Sequence, residues 1–418
     1  MTLTLGAAPT QFPIARVREA FPALRVADGF VFFDNAAGAQ IPDHALSEVT
    51  RHLVQHNVQR GGRYPRSVEV DRAVSRVRSK IADFLGAGDP REVCLGMNAT
   101  SFIRQVSQAM GQTLGRVRSE IVVTDMDHEA NIATWRALES GRIRIRWWRM
   151  RDDGRLHVED LAPLLSRRTR LVACTATSHA LGSRVDVAAA AAAAHKVGAE
   201  LFVDAVHYAP HGPIDVKAWG CDYLVCSGYK IFGPHMGFLW GRFDALKALP
   251  TFREDFIPDE PPHKIEAGTF VYENVSGMGA TIDYLAGLGA GVVGAAGLRD
   301  RLSAAMNAIL AYERGLSERM LGVLREAGAR VYGVADPDQV AARVPTFLFN
   351  LEGLHPAQVA EAAAKSGFGI RDGHMYAPHL MARLGLDMDR GAVRVSLSHY
   401  NTVDEIDQFG AFLRRLAG

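Results

Sequence analysis

Residues 201–230 read LFVDAVHYAPHGPIDVKAWGCDYLVCSGYK. Two short apolar runs stand out, Leu201-Phe202-Val203 and Tyr223-Leu224-Val225-Cys226. Each is followed at once by polar residues, Asp204 after the first and Ser227 to Lys230 after the second. Runs this short and apolar on both faces are expected of parallel strands covered by helices on two sides. The same pattern recurs upstream at Ile121-Val122-Val123 and Leu171-Val172-Ala173-Cys174, and residues 143–148 form a further strand that alternates with arginines. Residues 186–197 read as a helix between two of these strands. Asp186 is a good N-cap, the alanine run has the highest helix propensity, and Gly198 is a natural stop. Alternation of strand, helix and strand predicts an α/β fold with a mainly parallel sheet. Ligands of such sheets bind beyond the carboxyl ends of the strands, which is where Asp204 and Lys230 fall.

The pattern runs from about residue 31 to residue 285. From 286 to 418 the character changes, with amphipathic helix over 302–327 and strand-like segments at 330–332, 345–351 and 392–397. Helices are expected at 356–366 and 402–416. That is a smaller α+β domain. Single cores stop growing at roughly 250–300 residues, so two domains sharing an interface are expected of 418 residues.

Lys+Arg number 47 and Asp+Glu 46, for a net charge of +1, which argues against nucleic acid or an anionic membrane as partner. No apolar run approaches the roughly 20 residues of a membrane helix, and the first residues lack the pattern of a signal peptide. The protein is therefore expected in the cytoplasm. Cys94, Cys174, Cys221 and Cys226 form no CxxC pair and read as reduced core thiols rather than as disulfides or a zinc site.

Four clusters carry chemistry. Asp204 ends a buried strand, where a carboxylate is costly unless paired; a helix cap or structural ion pair is the local preference, and a partner for a cationic ring nitrogen is the alternative. Lys230 follows a buried strand among Ser227, Gly228, Tyr229 and Gly233. A surface turn is the local preference, and a desolvated amine able to form a Schiff base is the alternative. Gly96 to Ser101 opens a helix over 102–110 with small and hydroxyl residues, which suits either ordinary capping or a phosphate held at the helix N-terminus. Asp127-His128-Glu129-Ala130-Asn131 lacks the spacing of a metal-binding helix, so no metal is expected, and His128 reads as a ring that stacks on a flat ligand or as part of a solvated loop. Order and spacing make the case that each cluster alone does not: phosphate turn, His, Asp, then Lys one strand later.

That order resembles the class V aminotransferase and cysteine desulfurase family of pyridoxal 5'-phosphate (PLP) enzymes, and most closely its Suf-type desulfurases. The resemblance covers nearly the whole chain, from Phe33-Asp34-Asn35-Ala36-Ala37 to Arg394-Val395-Ser396 and Tyr400-Asn401-Thr402. It implies fold type I, with a large PLP domain (31–285) built on a seven-stranded, mainly parallel sheet and a small C-terminal domain (286–418) joined by residues 1–30. It implies that Lys230 holds the cofactor, that Asp204 keeps the pyridine nitrogen protonated, and that His128 stacks on the ring. His207 falls near the phenolic oxygen. Thr100, Ser101, Ser227 and Tyr229 fall at phosphate or cofactor-wall positions. Thr269, in Glu266-Ala267-Gly268-Thr269, would reach the phosphate of a neighbouring subunit, which implies a homodimer with shared active sites. Arg394, helped by Arg371, would fork onto the carboxylate of a small amino-acid substrate, with Asn35 and Ala36 beside it. Arg60, Arg63 and Arg66 sit in or beside a Gly-rich loop where relatives also have an Arg-Gly step; a substrate contact from the other subunit and a solvated loop are equally open.

Two departures matter. The segment Arg371-Asp372-Gly373-His374-Met375-Tyr376 matches a desulfurase loop R-x-G-x-x-C, with Tyr376 where the persulfide-forming cysteine stands. His179 stands where relatives usually have Asn touching the cofactor oxygen and substrate carboxylate. The expected activity is a desulfurase-like C–S lyase acting on a cysteine derivative without a persulfide cysteine, with Tyr376 as a proton donor or an inert wall. An aminotransferase or epimerase of the same class is the alternative. A PLP-binding pseudoenzyme or regulator is a third reading, but about 30 residues before the opening segment leave little room for a DNA-binding domain. A Rossmann dinucleotide site is rejected, because no G-x-G-x-x-G follows a first strand.

Overall fold

The computed structural model describes residues 12–266 and 268–418. The large domain is built on seven strands: β1 (Val93–Gly96), β2 (Glu120–Thr124), β3 (Arg144–Trp148), β4 (Thr169–Thr175), β5 (Glu200–Asp204), β6 (Tyr223–Ser227) and β7 (Gly237–Gly241). Their order is β1-β7-β6-β5-β4-β2-β3. From β6 to β3 every neighbouring pair is parallel, and β7 runs antiparallel to both β6 and β1. The apolar runs at 121–123, 171–174, 201–203 and 223–226 all lie inside these strands and are buried on both faces.

Helix α1 (Ala99–Gly111) follows β1, α2 (Ala130–Arg136) follows β2, and α3 (Val187–Lys196) connects β4 to β5. The expected cap of α3 is present: Asp186 Oδ1 accepts from Ala189 N at 2.9 Å. Gly198, with φ 71°, takes the left-handed turn that ends the helix.

The domain boundary expected at residue 285 falls inside α4 (Tyr272–Val293), which continues after four residues into α5 (Leu298–Glu326). Glycine and alanine fill α4, so its sequence shows no break in pattern. The small domain adds β8 (Arg330–Tyr332), β9 (Thr346–Asn350), β10 (Arg371–Gly373), β11 (Ala392–Ser396) and the closing helix α6 (Val403–Ala417). The strands form an antiparallel sheet in the order β10-β11-β9-β8. The opening segment joins this domain: Val31–Phe32 pairs in parallel with Phe368–Gly369, and Asp34 bridges to Ser396. Before it, Arg18 bonds Glu405 and the carbonyl of Tyr400, while Val17 and Phe21 enter the large-domain core. The expectation for the N-terminal segment is thus described from residue 12; residues 1–11 lie outside the described residues. Among the described residues no single helix is long and apolar enough to cross a membrane.

Candidate active site

The carboxyl ends of β2, β4, β5 and β6 and the N-terminus of α1 converge on one cleft. Its walls include Ala99, Thr100, His128, His179, Asp204, His207, Ser227, Tyr229 and Lys230, and its empty volume, open mouth included, is about 460 Å³. Of the residues singled out in the sequence, the fold brings these together from positions up to 131 apart.

Lys230 sits on the turn just past β6 and is 9% exposed. Its Nζ donates to the carbonyl of Ala36 at 2.7 Å. Burial pulls its pKa from 10.5 down to about 8; Arg394 adds to this, while Asp204 and Asp34 oppose it. Asp204 ends β5 and is 7% exposed. Its Oδ1 accepts from Val206 N at 2.9 Å, and among the described residues no hydrogen bond reaches Oδ2. Burial raises its pKa, with the backbone bond from Val206 and the charge of Lys230 pulling the other way. A buried carboxylate with an unused oxygen beside a cleft calls for a cationic donor from a ligand.

Asp127 has different work. Its carboxylate accepts from the Thr124 hydroxyl, from Asn131 Nδ2 at 2.6 Å and from Thr175 N at 3.0 Å. These bonds stiffen the turn that aims His128 into the cleft. Burial still pushes the Asp127 pKa up to about 7. His128 Nδ1 accepts from Ala130 N at 3.1 Å, so the ring proton is on Nε2. Burial, then Lys230 and Arg394, lower its pKa to about 4, which leaves a neutral aromatic face. Among the described residues no cluster of metal ligands forms.

At the opposite end Ser227 Oγ accepts from Ala99 N at 3.2 Å, which fastens the start of α1 to β6. Thr100 faces the cleft from the first turn of the helix. Ser101 points elsewhere: its hydroxyl donates to the N-cap Asn98 at 3.0 Å. Tyr229 stacks on His235 with ring centroids 5.0 Å apart. His207 Nε2 meets the Thr346 hydroxyl of the small domain at 2.9 Å. Thr269 is exposed and does not line this cleft, and its hydroxyl accepts from Gln59 Nε2 at 2.6 Å. Arg60 packs against Phe270 and Tyr272 and pairs with Asp71 in the same exposed region.

The arginines form the second half of the site. Arg371 and Arg394 are direct cross-strand partners on β10 and β11, a placement unfavourable for like charges. Asp34 relieves it: Oδ1 accepts from Arg394 Nη2 at 2.8 Å and Oδ2 from Arg371 Nε at 2.9 Å. This carboxylate had no role beyond its motif in the sequence, because its partners lie more than 300 residues away. Arg394 is 2% exposed, and its Nε is buried without a partner. Two guanidiniums against one carboxylate leave a net positive charge for a ligand anion. Ala36 contributes its carbonyl to Lys230 and its N–H to Ser396 Oγ. Asn35 is fully engaged: Nδ2 donates to the Phe32 and Ser396 carbonyls and to Asn401, and Oδ1 accepts from Tyr400. Its amide ties the opening segment to the small domain and retains no donor for a substrate.

Tyr376 stands at the mouth, 56% exposed, with its ring 5.8 Å from that of His128. Cys94, Cys174, Cys221 and Cys226 are all buried, with pKa values raised by burial. None is in the loop at 371–377.

These features fit PLP. The cleft offers an amine with a depressed pKa, a neutral ring for stacking, a carboxylate with a free oxygen, and Thr100 on the first turn of α1 for a phosphate. Comparison with known proteins agrees. The family model "Aminotransferase class-V" matches residues 31–409. The aminotransferase-like protein FGM3 of Gibberella zeae is 36% identical, over 96% of this chain and 97% of its own. A cysteine desulfurase of Dickeya dadantii is 32% identical, over 97% of both chains. The apo structure of a cysteine desulfurase from Thermococcus onnurineus superposes with a TM-score of 0.85 at 26% identity, covering 98% of this chain and 99% of that one.

Proposed function

The chain belongs to the class V aminotransferase family of PLP-dependent enzymes, and from that premise we propose that it cleaves the C–S bond of a small L-amino acid, a cysteine derivative, by β-elimination. One observation carries the reading: the loop that would present a sulfur-accepting thiol presents the Tyr376 phenol, while every thiol in the chain is buried. A phenol cannot take sulfur as a persulfide, but it can protonate a departing thiolate. Several relatives bear the name cysteine desulfurase, which supports a sulfur amino acid as substrate.

The bound cofactor supplies an aldehyde carbon for the substrate amine and a ring that accommodates negative charge released at Cα. Asp204 Oδ2 is the oxygen that would hold the ring nitrogen protonated, and His128 would cover the ring face. Arg394 and Arg371 orient the substrate carboxylate. Lys230, once free, takes the Cα proton as general base, for which a pKa of about 8 suits neutral pH. The Cβ–S bond breaks with its electron pair going to sulfur, and the thiolate takes its proton from the Tyr376 hydroxyl, which exchanges with solvent. One water is consumed overall, and the products are a thiol, pyruvate and ammonium.

The test is a product assay with S-substituted L-cysteines on the purified holoenzyme. Pyruvate and free thiol in equal amounts are expected. Tyr376→Phe should lower kcat about a hundredfold, as for loss of a general acid, and leave cofactor binding intact. Iodoacetamide at pH 8 should leave activity unchanged, because buried thiols with raised pKa values are poor nucleophiles. Rapid inactivation with one thiol alkylated would mean that a cysteine reaches the site. The G. zeae relative, named aminotransferase-like, favours transamination as the second reading. It predicts amino-group transfer to a keto acid and no pyruvate from S-substituted cysteines.

Thr269 and the 59–64 loop do not line their own cleft, and we place them at the active site of a second copy in a homodimer. Four unpaired thiols fit a reducing compartment, and the same reading places the enzyme in the cytoplasm.

A further inference from the structure

The turn that carries Tyr376 is conformationally unfavourable. Met375 and Tyr376 have φ of 53° and 56°, a left-handed pair in two residues with side chains. Such a pair persists only where its surroundings hold it. Four hydrogen bonds do so. The Met375 carbonyl accepts from His179 Nε2 at 2.7 Å, and the Tyr376 carbonyl accepts from Glu129 N at 2.9 Å. Tyr376 N donates to His374 Nδ1 at 3.0 Å, and Ala377 N donates to the His374 carbonyl at 2.9 Å. The last two lie within the turn. The first two tie it to the large domain, and His179 alone does so with a side chain.

His179 is well placed for this. It is 5% exposed, and its own carbonyl accepts from Arg394 Nη1 at 3.1 Å. Its ring is 5.0 Å from that of His128. A carbonyl oxygen only accepts, so the bond to Met375 puts the ring proton on Nε2 and leaves Nδ1 bare. Burial, with the charges of Lys230 and Arg394 nearby, keeps the ring neutral. A neutral imidazole has one N–H, and here Met375 has it. None remains for a substrate carboxylate or a cofactor oxygen, the task that the resemblance gives to an amide at this place.

We propose that His179 is a positioning residue: it fastens the Met375–Tyr376 turn across the cleft and thereby fixes the Tyr376 phenol beside His128. It also joins that turn to Arg394 through one residue, so the carboxylate-binding arginine and the mouth of the cleft share a support. The fastening stands on geometry alone; only its kinetic consequence rests on Tyr376 acting as proton donor.

Hydrogen–deuterium exchange on the holoenzyme tests the fastening, read at the amides of Glu129, Tyr376 and Ala377. His179→Ala should speed exchange there at least tenfold while the visible cofactor absorbance is retained. His179→Gln, whose amide N–H can again reach the Met375 carbonyl, should restore slow exchange. Unchanged exchange in His179→Ala overturns the proposal. The kinetic arm is a double-mutant cycle. His179→Ala should cost about tenfold in kcat alone and less than twofold in the Tyr376→Phe background, and an equal loss in both backgrounds overturns action through Tyr376. If Tyr376→Phe is itself silent, the proton-donor reading fails, and the exchange result still decides the fastening.

Discussion

Lys230→Ala is expected to abolish both the visible absorbance of lysine-bound cofactor and all measurable turnover. The cleft contains one amine, and in the free protein its Nζ donates to the Ala36 carbonyl. Loss of a group that attaches the cofactor and then serves as general base removes at least two separate contributions, so a fall of more than about 10⁴-fold is expected. Stability should not fall with it. Between the folded pKa of about 8 and the unfolded value near 10.5, the unfolded chain binds more protons at this lysine than the folded one. The apoprotein therefore gains stability as pH rises through that window, and below it the fold carries the cost of a buried ammonium. Lys230→Ala removes that cost, and its melting temperature at pH 7 without cofactor should equal or exceed that of the parent. The same pKa sets cofactor uptake. The neutral amine fraction rises roughly tenfold from pH 7 to pH 9 and is flat above, so reconstitution rates at fixed PLP should follow that curve. An absorbance band that survives in an active Lys230→Ala enzyme would overturn the assignment of the lysine.

Much of this architecture was legible because short doubly buried strands have little choice of composition. The runs around residues 122, 172, 202 and 224 could hardly be solvent-exposed, and the cap and stop of α3 are local chemistry. β1 and β7 escaped notice. Gly237-Phe238-Leu239-Trp240-Gly241 is bounded by glycines and Val93-Cys94-Leu95-Gly96 ends in one, and they matter through their antiparallel pairing, which no local pattern encodes. Residue 285 lies inside α4, whose start and end carry no change of pattern because a helix packed on several sides needs no polar face. In the site, Lys230, Asp204 and His128 follow strand ends and could be picked out by position. The rest is tertiary. Asp34 means little until β10 and β11 set Arg371 beside Arg394, and Asn35 looked like a substrate ligand until the small domain absorbed its amide. His179 could be named as unusual, but its bond to Met375 depends on a left-handed turn that a Met-Tyr pair does not advertise.

That register also decides how unequal the two arginines should be. Arg394→Ala is expected to lower kcat/KM for amino-acid substrates by about a hundredfold to a thousandfold, with Arg371→Ala costing about tenfold or less. Both guanidiniums bond Asp34, so charge alone does not separate them. Burial does. Arg394 is almost wholly enclosed and holds a buried Nε with no partner, whereas Arg371 keeps over a third of its side chain in solvent, where screening weakens an ion pair. Truncating the buried partner of a charged contact typically costs about 2–5 kcal/mol, and 1.4 kcal/mol is tenfold. Arg394→Lys should recover little, since an ammonium cannot serve Asp34, the His179 carbonyl and a carboxylate through one planar fork. The control is a substrate without the anion. With an S-substituted cysteamine, which keeps the amine and the sulfur but lacks the carboxylate, the parent should already be slow and Arg394→Ala should cost less than about threefold more. Equal losses on both substrates would mean that Arg394 supports the small domain and the Tyr376 turn rather than the substrate carboxylate.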